Sequence, residues 1–443
     1  MATAALNPLA VELNQAIQSA NPYVYEMLSE RGRALYFPKG ILTQSAEAKA
    51  KAHRLNATIG MATERGEAMN LSCVMGQLPG FSPDDALRYA PPTGLPELRA
   101  VWREKQDAEN PSQVGKPMTQ PIVTCALTHG LSIVGDLFVN PGDTVLLPDK
   151  LWGNYRLIYG VRLGAKIVTY PFFDTARRLN VAGFREAVFR HAPPGGKLVV
   201  ILNFPNNPTG YTPTVAEGEG LRDALHAAAE HGANIVAVFD DAYYGLTYDD
   251  AAMKESLFAL LAGLHPRLMA IRLDGATKEL FVWGLRVGFI TYSVGGMQHA
   301  SPLLGALEKK TAGAIRGALS NAARLSQEIV LRALRSPDYP AQKRAKYEVL
   351  RARAAKVREV LAHRKFADVW ESYPFNSGYF MCVQLKDVPA EAVRLRLLDG
   401  YGVGVIATDE RDLRIAFSCV EMEDIPFLFE TMRQAVLDVR RGK

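Results

Sequence analysis

Two stretches of this 443-residue chain run five apolar residues in a row without polar alternation, Leu198-Val199-Val200-Ile201-Leu202 and Ile235-Val236-Ala237-Val238-Phe239. An alternating strand can leave one face in water, whereas a strand that is apolar throughout must be covered on both. Short β-branched runs at 122–125, 144–147, 166–170, 197–203, 234–240, 268–273 and 287–292 read as strands, with crossover helices at 221–231 and 256–264. The expectation is an α/β architecture: a large domain with a mainly parallel seven-stranded sheet covered by helices. After Ser320 the pattern changes to long helices at 321–334 and 341–363. Strands near 379–384, 403–407 and 413–418 and a terminal helix from Met422 follow, which reads as a smaller α+β domain. The expected division is 1–60 as an arm completing the small domain, 61–325 as the large domain and 326–443 as the small one.

Charge narrows the function classes. Lys plus Arg total 51 and Asp plus Glu 46, a net +5. Between Lys343 and Lys365 nine basic residues face Glu348 and Glu359, so that segment carries +7 and the remainder −2. Tyr347, Leu350, Ala354, Val357 and Leu361 recur there at helical spacing, so the segment reads as an amphipathic helix with its basic side in water. No nucleic-acid motif accompanies the charge, and the first 60 or so residues show no helix-turn-helix pattern, which argues against a DNA-binding regulator. Cys73, Cys125, Cys382 and Cys419 are scattered, without metal-ligand spacing or a disulfide framework. The N-terminal 30 residues lack a signal-peptide pattern and no apolar run reaches membrane-spanning length, so a soluble cytoplasmic protein is expected.

Polar residues that interrupt this pattern cluster at strand ends. Asn203-Phe204-Pro205-Asn206-Asn207-Pro208-Thr209-Gly210 forces a turn at the carboxyl end of the fourth strand, where open α/β sheets bind ligands. The fifth strand ends in Asp240-Asp241-Ala242-Tyr243; a carboxylate there is either a ligand group or a helix cap, and strand alternation prevents both aspartates facing one side. Lys278 follows the sixth strand, and Gly284-Leu285-Arg286-Val287-Gly288 sets a guanidinium between glycines, suited to closing on an anion.

Taken in order, these motifs resemble the fold-type-I pyridoxal-phosphate enzymes, in particular the class I/II aminotransferases, from about Leu35 to Phe417. Asn207-Pro208-Thr209-Gly210 matches the family's Asn-Pro-Thr-Gly, whose asparagine bonds the cofactor's phenolic oxygen. Asp240-x-x-Tyr243 resembles its Asp-x-x-Tyr, selecting Asp240 over Asp241. Lys278 with Arg286 matches the Schiff-base lysine and the phosphate-binding arginine. Trp152-Gly153-Asn154 is similar to the segment whose tryptophan stacks on the pyridine ring. Tyr89 resembles the tyrosine reaching the partner subunit's phosphate, Arg414 the arginine that clamps the substrate α-carboxylate, and Arg316 the one that crosses the dimer interface to a distal carboxylate. Gly40 matches a glycine of the N-terminal substrate loop. The phosphate turn departs from Gly-Ser or Gly-Thr, reading Ala126-Leu127-Thr128-His129, and the serine often found three residues before the lysine is Gly275, with Thr277 the nearby hydroxyl. His129 is taken as structural.

The resemblance implies pyridoxal 5'-phosphate bound by Leu127, Thr128, Trp152, Asn207, Asp240, Tyr243, Thr277, Arg286 and Tyr89. It implies catalysis by Lys278, substrate binding by Arg414, Arg316 and Gly40, and no metal. The implied activity is exchange of an amino group between an L-amino acid and a 2-oxo acid by a homodimer with shared sites. A β-eliminating C–S lyase or a decarboxylase on the same scaffold is the alternative.

Overall fold

The computed structural model describes residues 6–20, 41–58, 60, 62–77, 80–295 and 300–442. Seven strands, β1 (Ile122–Cys125), β2 (Thr144–Pro148), β3 (Lys166–Tyr170), β4 (Lys197–Asn203), β5 (Asn234–Asp240), β6 (Leu268–Gly275) and β7 (Val287–Val294), form one sheet in the order β1-β7-β6-β5-β4-β2-β3. Neighbours β3, β2, β4, β5 and β6 pair in parallel, and β7 lies antiparallel to both β6 and β1. The continuous apolar runs are the reason: Leu198–Leu202 and Ile235–Phe239 are buried along their whole length, between helices on both faces. Every expected strand is found, β6 and β7 each two residues longer than the sequence pattern indicates.

Helices α1 (Ile41–Lys51), α2 (Pro96–Glu109), α3 (Ala126–Phe138), α4 (Val215–Glu230) and α5 (Ala276–Glu279) precede the long α6 (Ala300–Ala318), α7 (Arg324–Arg335) and α8 (Tyr339–Leu361). Four strands, β8 (Trp370–Ser372), β9 (Phe380–Leu385), β10 (Ile406–Ala407) and β11 (Asp412–Ala416), form the second sheet in the order β8-β9-β11-β10, and α9 (Ile425–Arg440) ends the fold. Residues Leu55–Asn56 pair in parallel with Val403–Gly404, and both amide groups of Gln44 bond the backbone of Ala407 at 3.0 and 2.8 Å. Gln44 and Leu55–Asn56 thus tie this part of the chain to residues 403–407 of the C-terminal region. Among the described residues no helix is long and apolar enough to cross a membrane.

Helix α8 corrects one expectation. Its apolar face packs inward as read, with Leu350, Ala354 and Val357 buried, but its basic residues are not all in water. Arg353 is 1% exposed; its Nη1 donates to Thr63 O at 2.7 Å and Ser418 O at 2.6 Å, and it pairs with Glu421. Lys343 pairs with Glu109 and Glu279, and Lys346 with Glu64. Charge counting cannot separate a solvated cation from one that bridges two segments, because only the fold brings distant carboxylates and carbonyls to it.

Arg353→Met, which leaves two carbonyls and a carboxylate without their donor, should cost about 2–3 kcal/mol of stability in urea denaturation. Arg351→Met, which removes one of the two exposed partners of Glu348, should stay within about 0.5 kcal/mol of the parent.

Candidate active site

Strands β4 and β5 are apolar until their last residues, and their register sets Asn203 beside Asp240 at the shared C-terminal edge. Asn203 donates through Nδ2 to Asp240 O at 2.8 Å and accepts from Asn207 N–H at 2.8 Å, holding the following turn over the strand tips. Gly210 in that turn has φ +74°, and a Cβ there would lie 2.0 Å from Phe380 O, so the turn lies directly against the second sheet. Alternation then separates the paired aspartates. Asp240 faces a cleft between the two sheets, whereas Asp241 packs away from it, 2.8 Å from Arg272 Nε.

The cleft is a cavity of about 410 Å³. On its floor Asp240 Oδ2 accepts from Tyr155 OH at 2.6 Å and Oδ1 from Ala242 N–H at 3.2 Å. Burial pushes this carboxyl upward, while the Tyr155 hydroxyl and the charge of Lys278 pull it back. Lys278 stands at the head of the short helix α5, Nζ 5.0 Å from the centre of the Tyr243 ring. Burial pushes its ammonium down; Asp240 opposes that shift and Arg286 adds to it, leaving a value of about 8. The next residue, Glu279, points the other way: against burial, Lys105 and Lys343 hold its carboxyl down at about 2.

One end of the cavity is built for an anion. Helix α3 starts there, and the N–H groups of its first turn, around Leu127 and Thr128, have no intrahelical acceptor. Arg286 borders the same end, and the Thr277 hydroxyl is buried without a partner among the described residues. A Cβ on Gly288 would sit 2.7 Å from Ala126 C, so β7 can press against this turn only as glycine. Ala126 (φ +60°), Phe281 (φ +57°) and Arg286 (φ +54°) all hold left-handed backbone around it, conformations that cost a non-glycine residue roughly 1–2 kcal/mol each.

At the opposite end Arg414 is 1% exposed, stacked 4.2 Å over the Phe380 ring. Its Nη1 donates to Asn207 Oδ1 at 3.1 Å and its Nη2 to Thr58 O at 3.2 Å, while Nε has no partner among the described residues. Burial lowers its pKa, which makes a guanidinium that gains from an incoming carboxylate. A cationic clamp, an amine and a carboxylate, and an anion-binding turn therefore line one cavity. A model of the aminotransferase class I and II family matches residues 65–431.

The chain belongs to that family. A probable aspartate/prephenate aminotransferase of Thermus aquaticus is 32% identical over 202 residues, 46% of this chain and 48% of that protein. The cytoplasmic aspartate aminotransferase of Saccharomyces cerevisiae is 25% identical over 281 residues, 61% of this chain and 63% of the relative. These alignments span about half to three-fifths of the relatives' lengths. The fold is shared over nearly the whole chain: an aminotransferase from Anaerococcus prevotii superposes with a TM-score of 0.80 at 21% identity, covering 93% of this chain and 99% of that one. The aspartate aminotransferase of the Saccharomyces cerevisiae cytoplasm superposes at 0.75 with 19% identity, covering 94% and 100%.

Of the residues expected from the sequence, Leu127, Thr128, Trp152, Asn207, Asp240, Tyr243, Thr277, Lys278, Arg286 and Arg414 line this cavity. Tyr89 and Arg316 do not; Tyr89 is 87% exposed, and Arg316 is exposed with Nη1 bonded to Ser320 Oγ at 2.6 Å. Gly40 lies outside the described residues. Sequence reasoning missed Tyr155, Asn203, Trp283 and Phe380. Tyr155 follows Trp152 by three residues, across a turn in which Tyr155 N–H donates to Trp152 O at 3.0 Å.

Ala126→Gly should relieve the left-handed strain and raise stability by about 0.5–1 kcal/mol, after allowing for glycine's greater freedom in the unfolded chain. Chemical denaturation of the two proteins measures the difference.

Proposed function

We propose that this chain is a pyridoxal-phosphate-dependent aminotransferase that moves an amino group from an L-amino acid to a 2-oxo acid in two half-reactions. The observation that carries the reading is the convergence of a lysine brought down to about 8 and a buried carboxylate on one floor, between an anion turn and a buried arginine. Pyridoxal phosphate has a complement for each: a basic ring nitrogen for Asp240, a phenolic oxygen for Asn207 and Tyr243, and a phosphate for Thr277, Arg286 and the N–H groups near Thr128. The unpaired Thr277 hydroxyl supports this fit, since a buried donor without an acceptor is expensive unless a ligand supplies one.

When bound, the cofactor supplies an electron sink for the charge left at the substrate Cα. The chain's own residues do the rest. Lys278 Nζ would hold the cofactor and, once displaced by the substrate amine, would be the base that moves the proton from the substrate Cα to the cofactor's aldehyde-derived carbon, and back in the second half-reaction. Asp240 holds a proton on the ring nitrogen. Trp152 would pack against the ring, and Arg414 would bind the substrate α-carboxylate, which guanidinium can meet with two donors where lysine cannot. Tyr89 and Arg316, exposed on their own chain, are assigned to the cleft of a second copy in a homodimer, Tyr89 toward the phosphate and Arg316 toward a distal carboxylate. Gly40 is assigned to the substrate loop. The names of the relatives support aspartate as donor, and no observation favours the lyase alternative. Four cysteines scattered without the spacing of a disulfide framework support a reducing compartment, the cytoplasm.

Lys278→Ala should abolish both the visible band of the bound cofactor and transamination; native turnover by the purified variant refutes the assignment. In the cofactor-free protein, attachment of added pyridoxal phosphate should speed up about tenfold per pH unit below pH 8 and level off above it. The sign follows from a depressed lysine pKa, which leaves the reactive neutral amine scarce below about 8 and dominant above. Absorbance stopped-flow reads the profile. With 2-oxoglutarate as acceptor, aspartate should be consumed by the parent and lost as a donor in Arg316→Ala; an aspartate rate untouched by that change removes Arg316 from the site.

A further inference from the structure

Behind the cleft floor lies a second layer that the functional reading does not use. Tyr155 is 1% exposed, and its hydroxyl donates to Asp240 Oδ2 at 2.6 Å, its one acceptor among the described residues. It stands where the chain enters a wide turn, Arg156–Val161, in which Arg162 N–H reaches back five residues to Leu157 O at 2.9 Å. The Trp152 ring meets it edge-on at 5.5 Å and 86°, so the residue that covers the cavity and the residue that supports its floor are packed as one unit.

The other titratable groups around this carboxylate have different work. The Tyr159 hydroxyl donates to Leu131 O at 3.1 Å. Tyr243 borders the cavity, Lys278 acts on Asp240 through its charge rather than a hydrogen bond, and the Ala242 N–H is the longer bond on the other oxygen. Tyr155 therefore supplies the short, directed bond. Burial and the neighbouring carboxylate push its phenol well above the ordinary range, so it remains a donor at every pH the enzyme meets.

We propose that Tyr155 is a positioning residue that keeps Asp240 ionised and oriented, and so decides which of two atoms, the carboxylate oxygen or the cofactor's ring nitrogen, carries the shared proton. The proposal rests on the functional reading above. Its proton balance is internal: with the Tyr155 bond the proton sits on nitrogen opposite a carboxylate, and without it the same proton moves to Asp240, with none gained or lost. A neutral ring nitrogen withdraws less charge from the lysine-linked end of the cofactor, so that end becomes more basic.

The test is a pH titration of the visible band of the full-length protein loaded with pyridoxal 5'-phosphate. Tyr155→Phe should raise the midpoint by about one pH unit, the size expected for loss of one hydrogen bond to a charged group. Tyr155→His, which restores a donor, should bring it back toward the parent. Loaded instead with a carbocyclic analogue whose ring nitrogen is replaced by carbon, parent and Tyr155→Phe should titrate together. An unchanged midpoint in cofactor-loaded Tyr155→Phe overturns the proposal, as does an equal displacement with the analogue. If Tyr155→Phe does not hold cofactor, Tyr155→His decides: a parent-like midpoint supports the proposal, and a shift that is the same with cofactor and analogue overturns it. Failure of the functional reading is distinct, since the parent itself would then show no Lys278-dependent band.

Discussion

A sheet covered on both faces leaves a chain few places for polar side chains other than the ends of its strands. The rest of this molecule follows from that constraint. Strands β4 and β5 stay apolar to their last residue and end in Asn203 and Asp240, held side by side by parallel register. Strand β6 ends at the helix that carries Lys278, and β7 begins just after Arg286. Each active group is thus positioned by a strand tip, and the second sheet closes the space above them by bringing Arg414 across from β11.

Burial also explains why neighbouring ionisable residues have opposite fates. Asp240 and Asp241 are adjacent, as are Lys278 and Glu279, yet one of each pair faces the cleft and the other is neutralised within the protein. Asp241 meets Arg272, which also lies 3.3 Å from Asp274 and 4.6 Å from the Tyr244 ring. Glu279 meets Lys105 at 2.7 Å and Lys343. A buried charge without a partner costs several kcal/mol, so those used structurally are ion-paired. The cleft groups keep bonding capacity in reserve: Thr277 Oγ1 and Arg414 Nε are buried and unpaired among the described residues.

The two departures from the family's phosphate turn belong together. A Cβ at Gly275 would lie 2.9 Å from Leu127 Cδ1 and 2.8 Å from Val287 O. The leucine in the turn therefore occupies the space a serine side chain at position 275 would need. Thr277, two residues on, and Thr128 in the turn are the threonines that line this cavity.

Much of the molecule was legible in the residues alone. Uninterrupted apolar runs dictated strands covered on both faces, because nothing else buries both sides of an extended chain. Motifs at their ends drew attention to Lys278, Asp240, Asn207 and Arg286, and it was their resemblance to a family's order, not their position alone, that singled them out together with Arg414; all five line one cavity. The chain's local pattern did not reveal that Arg353 is a buried bridge, that Asp241 belongs to Arg272, or that Tyr155 supports Asp240. Each depends on a partner tens to hundreds of residues away, and a side chain's charge state and role are set by what burial brings within about 3 Å of it. Local sequence determines which groups are available at the strand ends; tertiary packing alone decides which are satisfied by the protein and which are left to meet a ligand.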